Sequence, residues 1–472
     1  MKLEKILKDV EILNDIDAYK GIEISCISAR AQDKLTDGLF FCYEGSHDIK
    51  QMTLLAQSNG AKAIVTDKLF DDMTILQILV KDVRKAMATI AQNFYDTKMV
   101  KVIGVTGTNG KTTTSFIIAH ILKCAGKKVG IIGTNGIYFS DTFLPAKLTT
   151  PDCIDLHEIF SIMQKGGVDY IVMEVSAHAI ELKKVLGINF VCKILTNVGQ
   201  DHLDYFKTID DYKKTKESFF DNESDLNIVN ADDEIGQRIL QKYDTAISFG
   251  LDSPSDAFCI EINKDSTNYI MNICDNVMYI HSHLYGRFNV YNSLAAAVCC
   301  YFLGISIDKI GEGLETFDAV NGRFNVIKDN DRTIIIDFAH TPDGLENVLK
   351  TARSMSDGRL FCVFGCGGDR DKTKRKLMGA IADKYCDYSF LTSDNPRFEN
   401  EEKIIKDIAQ GFNSTNFYVS TDRKNAIYMA LNSLKSGDTL IICGKGGENY
   451  IDIKGEKIPY SDFDTVTEIL GK

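Results

Sequence analysis

Residues able to bind a phosphate chain lie in an eleven-residue run, GVTGTNGKTTT, at positions 104–114. This run follows the apolar segment VKVI and contains three glycines, one lysine and five threonines. Glycines let backbone N–H groups approach an anion, and the N-terminus of a following helix adds partial positive charge. Lys111 is predicted to reach the outer phosphates, and Thr112 or Thr113 to offer a hydroxyl to Mg²⁺. Val105 departs from the commonest spacing of this motif, which has a glycine at that position.

Three further side chains in the same part of the chain are candidates for a nucleotide site. Glu174 ends the apolar segment DYIVMEV, where a carboxylate can join the coordination shell of a metal. His202 follows another strand-like segment, VCKILTNV, and Lys216 lies in the helical segment beyond it. Taken singly, Glu174 is explained by a capped strand end, and the spacing of Lys216 favours a solvated helix face.

The elements that must position these residues alternate between strand-like and helix-like segments, which is typical of a mostly parallel sheet with flanking helices. From VKVIGVTG onward, the strand-like segments are KKVGIIGT, DYIVMEVS, VCKILTNV and LNIVNADD. Before them, GLFFCYEG and AKAIVTD are strand-like and VRKAMATIAQNFYD is helical. We therefore predict an α/β fold of three domains, over residues 1–98, 99–320 and 321–472.

Four apolar segments of the third block each end in polar or glycine-rich residues. They read TIIIDFAH, RLFCVFGCGG, YSFLTSDN and TLIICGKGG. Open parallel sheets bind ligands in the loops at the carboxyl ends of their strands. The sequence therefore predicts a second ligand-binding edge after residue 320.

Composition excludes several classes of protein. The 472 residues carry a formal net charge of −12, which argues against a general nucleic-acid or membrane-surface binder. No apolar run reaches the roughly 18 residues of a membrane helix, and the start, MKLEKILKDVEILND, is predicted to form an amphipathic helix. Thirteen scattered cysteines without a CxxC pair indicate free thiols in a reducing cytoplasm. His157, His281 and His283 are expected at the surface rather than on a metal.

Many separate segments, in order along the chain, resemble the Mur ligase family. They include GVTGTNGKTTT, TTPD, MEVSAHA, TNVGQDHLDYF, GRFNVYNSLAA, DFAHTPDGLENVL, FGCGGDRDKTKRKLMG and TSDNPR. The resemblance runs from about residue 20 to the C-terminus. It implies an N-terminal nucleotide-sugar-binding domain, a central P-loop ATPase-like domain and a C-terminal Rossmann-like domain.

The resemblance also implies a reaction, in which ATP drives formation of an amide from a carboxylate and an amine through an acyl phosphate. The implied substrates are UDP-N-acetylmuramoyl-L-alanyl-D-glutamate and meso-diaminopimelate, in peptidoglycan precursor synthesis, with ATP and Mg²⁺ as cofactors. A cytoplasmic monomer that acts on small molecules, without nucleic acid or membrane insertion, is expected.

Family roles carry over to individual residues for ATP and metal. Thr112 and Glu174 would hold Mg²⁺, His202 would help to bind a second Mg²⁺, and Lys216 matches a lysine that is carbamylated in this family. With Lys111, these residues are the predicted catalytic and metal-binding set. The predicted ATP-binding residues are Gly107, Thr108, Asn109, Gly110, Lys111, Thr112, Thr113, Asn289, Arg323 and His340.

The third block is expected to select the amine. DNPR, at 394–397, resembles the family version that accepts meso-diaminopimelate, and Arg397 would bind its distal carboxylate bidentately. Glu448 would receive the distal ammonium. The predicted pocket comprises Arg370, Asp394, Asn395, Arg397, Gly444 and Glu448.

The acceptor side departs most from the family pattern. Leu148 and Leu182 stand where the family has polar residues, Ala177 replaces a serine, and Lys184 replaces an arginine. The predicted acceptor-binding residues are Ser28, Arg30, Thr149, Thr150, Ser176 and Lys184. Two alternatives therefore stay open: a related ligase with a different carboxylate acceptor, and a P-loop protein that binds nucleotide without ligation.

Overall fold

The computed structural model describes residues 1–43, 48–221 and 224–471. Glu44 and Gly45, which end the predicted strand-like segment GLFFCYEG, lie outside the described residues. The chain forms two compact units, each described here by itself. The first comprises residues 1–104, 127–193 and 218–225, and the second comprises residues 105–126, 194–217 and those from 226 onward. The three predicted domain ranges divide the chain differently and stay a prediction.

The structure contains helices and strands throughout both units. The strands are β1 Cys26–Ser28, β2 Gly38–Cys42, β3 Ala61–Thr66, β4 Leu76–Leu79, β5 Val102–Thr106, β6 Val129–Gly133, β7 Gly136–Phe139, β8 Thr142–Leu144, β9 Tyr170–Val175, β10 Phe190–Leu195, β11 Asn227–Asn230, β12 Ile247–Phe249, β13 Ala257–Ile262, β14 Asn268–Ile273, β15 Asn276–His281, β16 Asn325–Asp329, β17 Arg332–Asp337, β18 Leu360–Phe364, β19 Tyr388–Thr392, β20 Phe417–Ser420, β21 Thr439–Cys443, β22 Tyr450–Ile453 and β23 Glu456–Pro459. The helices are α1 Leu3–Ile6, α2 Ile49–Ser58, α3 Val83–Tyr95, α4 Lys111–Cys124, α5 Cys153–Lys165, α6 Ala177–Glu181, α7 Leu203–Phe206, α8 Ile209–Ser218, α9 Glu234–Lys242, α10 Arg287–Phe302, α11 Ile307–Glu315, α12 Pro342–Met355, α13 Thr373–Tyr385, α14 Glu401–Ala409, α15 Arg423–Ser433 and α16 Asp462–Leu470.

The first unit contains a four-stranded parallel sheet of order β1-β2-β3-β4. Every residue of β2 is buried, because alternate side chains enter separate hydrophobic clusters. Leu39 and Phe41 pack with α1 and α3, whereas Phe40 and Cys42 pack in a second cluster. A strand that is apolar at every position is typical of a sheet covered on both faces. In the same unit, β6 pairs with β9 in parallel and with β7 in antiparallel fashion.

The second unit contains a six-stranded sheet of order β16-β17-β21-β18-β19-β20, parallel except for the edge strand β16. Each predicted strand segment of the third block is a strand here: β17, β18, β19 and β21. Their carboxyl ends all meet one edge of the sheet, because parallel strands share a direction. The loops that follow them carry the residues predicted to select the amine.

A separate group of strands in the second unit has the order β15-β14-β13-β12-β11. Its outer part is antiparallel, since β13 pairs with β14 and β14 with β15 in opposite directions. These hairpin strands are not among the strands predicted from the sequence. The burial of β14 alternates along the strand, which is the pattern of a strand with one face in the core.

Helix starts in both units follow from short polar residues before an apolar stretch. Asp82 accepts a hydrogen bond from the backbone N–H of Lys85 at the start of α3. Thr341 accepts one from Gly344 at the start of α12, where Pro342 occupies the first turn. Such caps satisfy N–H groups that have no partner within the helix.

Two expectations about local structure were wrong. The N-terminal helix covers only Leu3–Ile6, because the backbone of Met1 pairs with that of Ile24 and because Asp9 adopts a left-handed conformation. His157 is buried rather than at the surface. It lies on the apolar face of α5, with its Nδ1 atom 2.6 Å from the hydroxyl oxygen of Thr97. Across the described residues, no helix has the length and apolar character needed to cross a membrane.

Candidate functional site

The glycine-rich loop lies between β5 and α4 in the second unit, as the sequence predicted. Gly107 has φ of 147°, and a Cβ atom there would lie 1.9 Å from the hydroxyl oxygen of Thr196. Gly110, the residue before α4, has φ of 85°, and a Cβ atom there would lie 2.4 Å from Oδ1 of Asn292. Both positions therefore require glycine, for conformation and for space.

Backbone and side-chain contacts fix the shape of this loop. The backbone N–H of Thr108 donates to the carbonyl of Asn197 at 2.7 Å, and that of Asn109 donates to Oδ1 of Asn197 at 3.0 Å. Lys111 folds back over the loop, where its ammonium donates to the carbonyls of Gly107 and Thr108 at 2.8 Å. The result is a concave loop with a lysine at its rim and a 14-residue helix behind it, an arrangement that binds phosphates.

Residues predicted to bind the nucleotide from later parts of the chain lie beside this loop. Arg323 donates from Nη2 to the hydroxyl oxygen of Thr112 at 3.0 Å, and its guanidinium stacks on Phe338. The loop that contains His340 also reaches the glycine-rich loop, because the hydroxyl of Thr341 donates to Oδ1 of Asn109 at 3.3 Å. Positively charged and aromatic groups are thus gathered at one end of α4.

Asn289 joins the same region through a second amide. Asn292 donates from Nδ2 to Oδ1 of Asn289 at 3.0 Å and accepts at Oδ1 from the hydroxyl of Thr114 at 3.2 Å. Asn289 itself donates to the carbonyl of Tyr285 at 2.9 Å. Buried amides that are fully hydrogen-bonded hold a fixed orientation, so these contacts fix the position of α10 along α4.

Lys216 is buried in the second unit, which contradicts the solvated helix face that its spacing favours. Its Nζ atom donates to the hydroxyl oxygen of Thr106 at 3.2 Å and lies 5.3 Å from the ring centre of Tyr212. Burial lowers the pKa of the Lys216 amine well below its usual value. The charge of Lys111 lowers this pKa further, whereas the charge of Asp201 opposes the shift. This lowered pKa favours the unprotonated, nucleophilic form of the amine.

His202 stands in a left-handed conformation, with φ of 56°, at the start of α7. Its Nε2 atom lies 3.3 Å from Oδ2 of the buried Asp201, and Nε2 of His340 lies 3.8 Å from the same oxygen. Nζ of Lys374 lies 3.9 Å from Oδ1 of this carboxylate. Burial alone would raise the pKa of Asp201, but hydrogen bonding to His340 and the charges of His202, His340 and Lys374 lower it well below the usual value.

Asp201 and Lys374 were not among the predicted residues. Asp201 directly precedes His202, so its position in the run QDHLD was a readable signal. Lys374 had no such signal, because a lysine near the start of a helix is usually solvated. Its burial follows from the contact of the 200–204 segment with the 370–374 segment, where Gln200 donates to Asp371 at 3.1 Å.

Most of the predicted amine-selecting residues meet at the carboxyl edge of the six-stranded sheet. Asn395 donates from Nδ2 to Oε2 of Glu448 at 2.9 Å. Gly444, with φ of 111°, approaches Asp394 so closely that a Cβ atom would lie 2.4 Å from Oδ2. Four of the six residues are therefore held together by direct packing.

The two predicted arginines lie on neighbouring loops of the same edge. Nη1 of Arg397 donates to the carbonyl of Gly368 at 2.7 Å, and its Nε atom lies 3.7 Å from Asp452. Nη1 of Arg370 lies 3.5 Å from the carboxylate of Asp204. Arg397 also has a left-handed backbone, with φ of 52°. Such conformations are frequent at ligand-binding loops, where surrounding contacts maintain the strain.

Glu174 belongs to the first unit, at the carboxyl end of β9. Its Oε1 atom accepts from the backbone N–H of Thr134 at 2.9 Å, and its Oε2 atom accepts from the Thr134 hydroxyl at 3.1 Å. The hydroxyl of Thr150 donates to the Glu174 carbonyl at 2.8 Å and accepts from the backbone N–H of Ser176 at 3.0 Å. Thr149 contacts Thr134 at 3.1 Å. The structure thus brings together Glu174 and three predicted acceptor-binding residues.

The other predicted acceptor-binding residues contact carboxylates, and for Arg30 and Lys184 these lie at the start of α5. Arg30 forms an ion pair with Asp155, and Nζ of Lys184 lies 2.7 Å from Asp152. The hydroxyl of Ser28 donates to Asp33 at 2.6 Å. Both cations of this set are therefore neutralised by acidic partners, and an anionic acceptor would compete with those carboxylates.

The donor chemistry of these residues fits Mg²⁺ carried by a nucleotide. Within residues 1–43, 48–221 and 224–471, no group of three or more His, Cys, Asp or Glu side chains is arranged to hold a metal. Mg²⁺ that binds with a nucleotide uses one or two protein oxygens, with phosphates and water completing its shell. The hydroxyl of Thr112 and the carboxylate of Glu174 are oxygen donors of that kind.

Comparison with protein families gives two matches. The family described as "Mur ligase middle domain" matches residues 105–300, and the one described as "Mur ligase, glutamate ligase domain" matches residues 322–446. These ranges contain the glycine-rich loop in the first match and the amine-selecting loops up to Gly446 in the second.

Curated relatives are similar over the whole chain. The chain is 40% identical over 485 residues to UDP-N-acetylmuramoyl-L-alanyl-D-glutamate--2,6-diaminopimelate ligase 1 of Clostridium acetobutylicum, and the match covers 100% of this chain and 99% of that protein. It is 39% identical over 487 residues to the similarly named ligase of Clostridioides difficile, with 100% of both chains covered.

Solved structures are similar over the same length. A structure of a UDP-N-acetylmuramoyl-L-alanyl-D-glutamate--2,6-diaminopimelate ligase has a TM-score of 0.73 at 26% identity, covering 100% of this chain and 99% of that one. MurF from Acinetobacter baumannii has a TM-score of 0.68 at 16% identity, with coverage of 100% and 99%, and shows the fold alone. The predicted three-domain α/β fold class is confirmed by these matches. The chain belongs to the Mur ligase family.

Proposed function

We propose that this protein is an ATP-dependent ligase that joins meso-diaminopimelate to UDP-N-acetylmuramoyl-L-alanyl-D-glutamate, in the synthesis of peptidoglycan precursors. The observation that carries the proposal is 40% identity, over the full chain, to a relative named for this reaction. The loops that hold Asn395, Arg397 and Glu448 support the same choice of amine, because they present both a cation and an acid. The proposal places the enzyme in the cytoplasm as a monomer that acts on small molecules.

The first half of the proposed reaction transfers the γ-phosphate of ATP to the acceptor carboxylate. The carboxylate oxygen forms a bond to phosphorus, the bond to the β,γ-bridging oxygen breaks, and ADP leaves. Lys111 and the backbone of the glycine-rich loop stabilise the negative charge that gathers on the phosphates. Thr112, Glu174 and His202 are the residues proposed to bind Mg²⁺ ions, whose charge would neutralise part of the phosphate charge.

Lys216 is proposed to act as a carbamate. Its unprotonated Nζ attacks the carbon of CO₂, an N–C bond forms, one C=O π bond passes its electrons to oxygen, and the nitrogen loses a proton to water. The product carries a negative charge where the lysine would carry a positive one. Burial and the charge of Lys111 both favour the neutral amine before reaction, and the charge of Lys111 favours an anion after it.

The second half of the proposed reaction needs an amine at the acyl carbon. The amine nitrogen attacks, a tetrahedral intermediate forms, and the C–O bond to phosphate breaks. Arg397 would bind the distal carboxylate of diaminopimelate through two N–H groups, which lysine as a substrate has no group to match. Glu448 would pair with the distal ammonium. The amine is thus chosen by charge at both distal groups.

A second candidate uses the same chemistry on a different carboxylate acceptor. Leu148 is 48% exposed, and Arg30 and Lys184 are paired with Asp155 and Asp152. An apolar side chain and neutralised cations favour a less polar acceptor than a nucleotide sugar.

Phosphate release separates these possibilities when acceptor and amine are varied independently with ATP and Mg²⁺. The proposed function predicts turnover that requires both UDP-N-acetylmuramoyl-L-alanyl-D-glutamate and meso-diaminopimelate. Turnover with diaminopimelate and a different carboxylate, but not with UDP-N-acetylmuramoyl-L-alanyl-D-glutamate, would establish the second candidate. ATP binding with no amine-dependent turnover would contradict both and indicate a nucleotide-binding protein.

A further inference from the structure

Lys445 is a buried lysine outside every residue set assigned above. It follows β21 in the run GKGGE and is fully buried. Its ammonium donates to the carbonyl of Tyr450 at 2.7 Å, to Oδ1 of Asn395 at 3.0 Å and to Oε2 of Glu448 at 3.4 Å. An ammonium has three N–H donors, so these three acceptors satisfy it completely. Oδ1 of Asp394 lies 3.9 Å away and adds a negative charge.

The partners of Lys445 belong to two loops that converge at the carboxyl edge of the sheet. Asn395 lies in the loop after β19, whereas Glu448 and Tyr450 lie after β21. The Oδ1 atom of Asn395 accepts from both Lys445 and the backbone N–H of Asp452, the latter at 2.9 Å. Its Nδ2 group therefore points the other way, to Glu448. Together with the Asp452 N–H, Lys445 thus keeps the nitrogen end of the Asn395 amide directed at Glu448.

The same loops connect the two side chains proposed to bind the distal groups of the amine. The backbone N–H of Arg397 donates to the carbonyl of Asp452 at 3.0 Å. Asp452 in turn donates to Asn395, which holds Glu448. A chain of hydrogen bonds through Asn395 and Asp452 therefore fixes the position of Arg397 relative to Glu448. Lys445 is the cation at the centre of this hydrogen-bond network.

Loss of the ammonium would release this arrangement. Asn395 would keep a single donor at Oδ1, so its amide could turn over, and Glu448 would keep only a neutral partner. The side chain of Glu448 is 25% exposed, so without the ammonium its carboxylate is free to turn toward solvent, where water stabilises its charge. Either change moves the acid away from the position that an incoming ammonium requires.

We propose that Lys445 is a positioning residue for amine selection, which fixes Asn395 and Glu448 for the distal ammonium and carboxylate of the diamino acid. This inference rests on the proposed function. It assigns Lys445 to the amine step, because its side-chain partners Asn395 and Glu448 lie in the loops after β19 and β21, and its backbone partner Tyr450 begins β22.

The test compares Lys445→Met with Lys457→Met in the full-length protein. Lys457 is exposed and also contacts Tyr450, with its Nζ atom 4.1 Å from the ring centre, so it controls for loss of a lysine at that ring. The KM values for diaminopimelate, ATP and the acceptor are measured by phosphate release. For Lys445→Met, KM for diaminopimelate should rise about 10- to 100-fold, while KM for ATP and kcat change less than about threefold. Lys457→Met should resemble the wild type.

Three outcomes overturn the inference. One is an unchanged KM for diaminopimelate in Lys445→Met. Another is an equal loss for ATP and amine, which would indicate a general structural role. The third is the same shift in Lys457→Met. If the wild type itself shows no turnover with diaminopimelate, the proposed function fails, and this inference fails with it.

A crystal structure of the wild type with meso-diaminopimelate tests the same proposal without requiring that any variant folds. The expected result places Nζ of Lys445 within hydrogen-bond distance of Asn395 and Glu448 while Glu448 contacts the distal ammonium. A Lys445 side chain that contacts the substrate itself, or a Glu448 that has turned away from it, would overturn the assignment.

Discussion

At the scale of single residues, chemistry follows from where a side chain is buried. Lys216 reads as a solvated lysine from its spacing, yet it is buried against Tyr212 and Thr106. Only the resemblance of the surrounding motifs assigned it a role. Asp201 was missed although its place beside His202 was a readable signal, and the contacts with His340 and Lys374 come from distant segments and are visible only in the fold.

Replacement of Lys216 by Ala should abolish the negative group that carbamylation provides. We expect ligase activity to fall about 100-fold or more, and added short-chain carboxylic acids to restore part of it by occupying the vacated space. Phosphate release with and without acetate or formate measures this effect. Lys214→Ala is the matched control, since Lys214 is exposed on the same helix. A Lys216→Ala variant of normal activity would refute the assigned role.

Replacement of Arg397 by Ala should weaken binding of the amine and spare the activation of the acceptor. Loss of a bidentate carboxylate contact is expected to raise KM for diaminopimelate about 10- to 100-fold. The amount of acyl phosphate formed, measured by reductive trapping, should stay near the wild-type level. Arg238→Ala, a change on the exposed face of α9, is the control. Equal damage to both steps would remove Arg397 from the amine pocket.

At the scale of elements, the sequence predicted the parallel strands and missed the antiparallel edge. Strands such as β18 and β21 are buried at every position because both faces are covered, and their apolar runs are easy to recognise in the sequence. Burial alternates along β14 and β15 over only six residues each, and in β13 the pattern is interrupted where the register shifts between Cys259 and Glu261. The alternation was present in the sequence, but short alternating runs without a Gly-rich turn signal give weak predictions.

The junction of β5 and α4 predicts a contrast between two glycines with similar backbones. Gly110→Ala places a methyl group against Oδ1 of Asn292, whereas Gly126→Ala, with φ of 76°, meets no atom within 4 Å. Both variants pay about 1 kcal/mol for a left-handed backbone. Only Gly110→Ala should also lose ATP affinity, by about 10- to 100-fold. Isothermal titration with ATP distinguishes them, and equal affinities would contradict the role of this loop.

The packing of α5 predicts a pH dependence of stability. Burial lowers the pKa of His157 to about 4, below the ordinary value of 6.5. The unfolded chain therefore binds the proton more tightly than the folded chain. The contribution of His157 to the free energy of unfolding is retained above pH 6.5 and is lost as the pH drops from 6.5 toward 4. Between pH 7 and pH 5 the loss should be about 2 kcal/mol.

Urea unfolding at the two pH values measures this loss. His157→Gln keeps a hydrogen-bonding group near Thr97 but does not titrate, so it should lose about 2 kcal/mol less than the wild type over the same range. Identical losses in the two proteins would show that His157 does not carry the effect.

At the scale of the whole molecule, the sequence predicted the fold class, the family and the reaction. Motifs in a fixed order along the chain carry this information, and the full-length similarity to named ligases agrees with it. The predicted residues are divided between the two compact units, with Lys111, Lys216 and His202 in the second and Glu174 in the first. Domain ranges were harder to predict, because only six prolines punctuate the chain and strands β5 and β10 each begin in one unit and end in the other.

The most direct test of the account follows oxygen from the acceptor into phosphate. The free carboxylates of the D-glutamyl residue are labelled with ¹⁸O, and the products formed with ATP and meso-diaminopimelate are analysed by mass spectrometry. Activation through an acyl phosphate predicts one ¹⁸O atom in each phosphate released, together with one new amide bond. Phosphate that carries no label, or label transfer without an amide to diaminopimelate, would contradict the account.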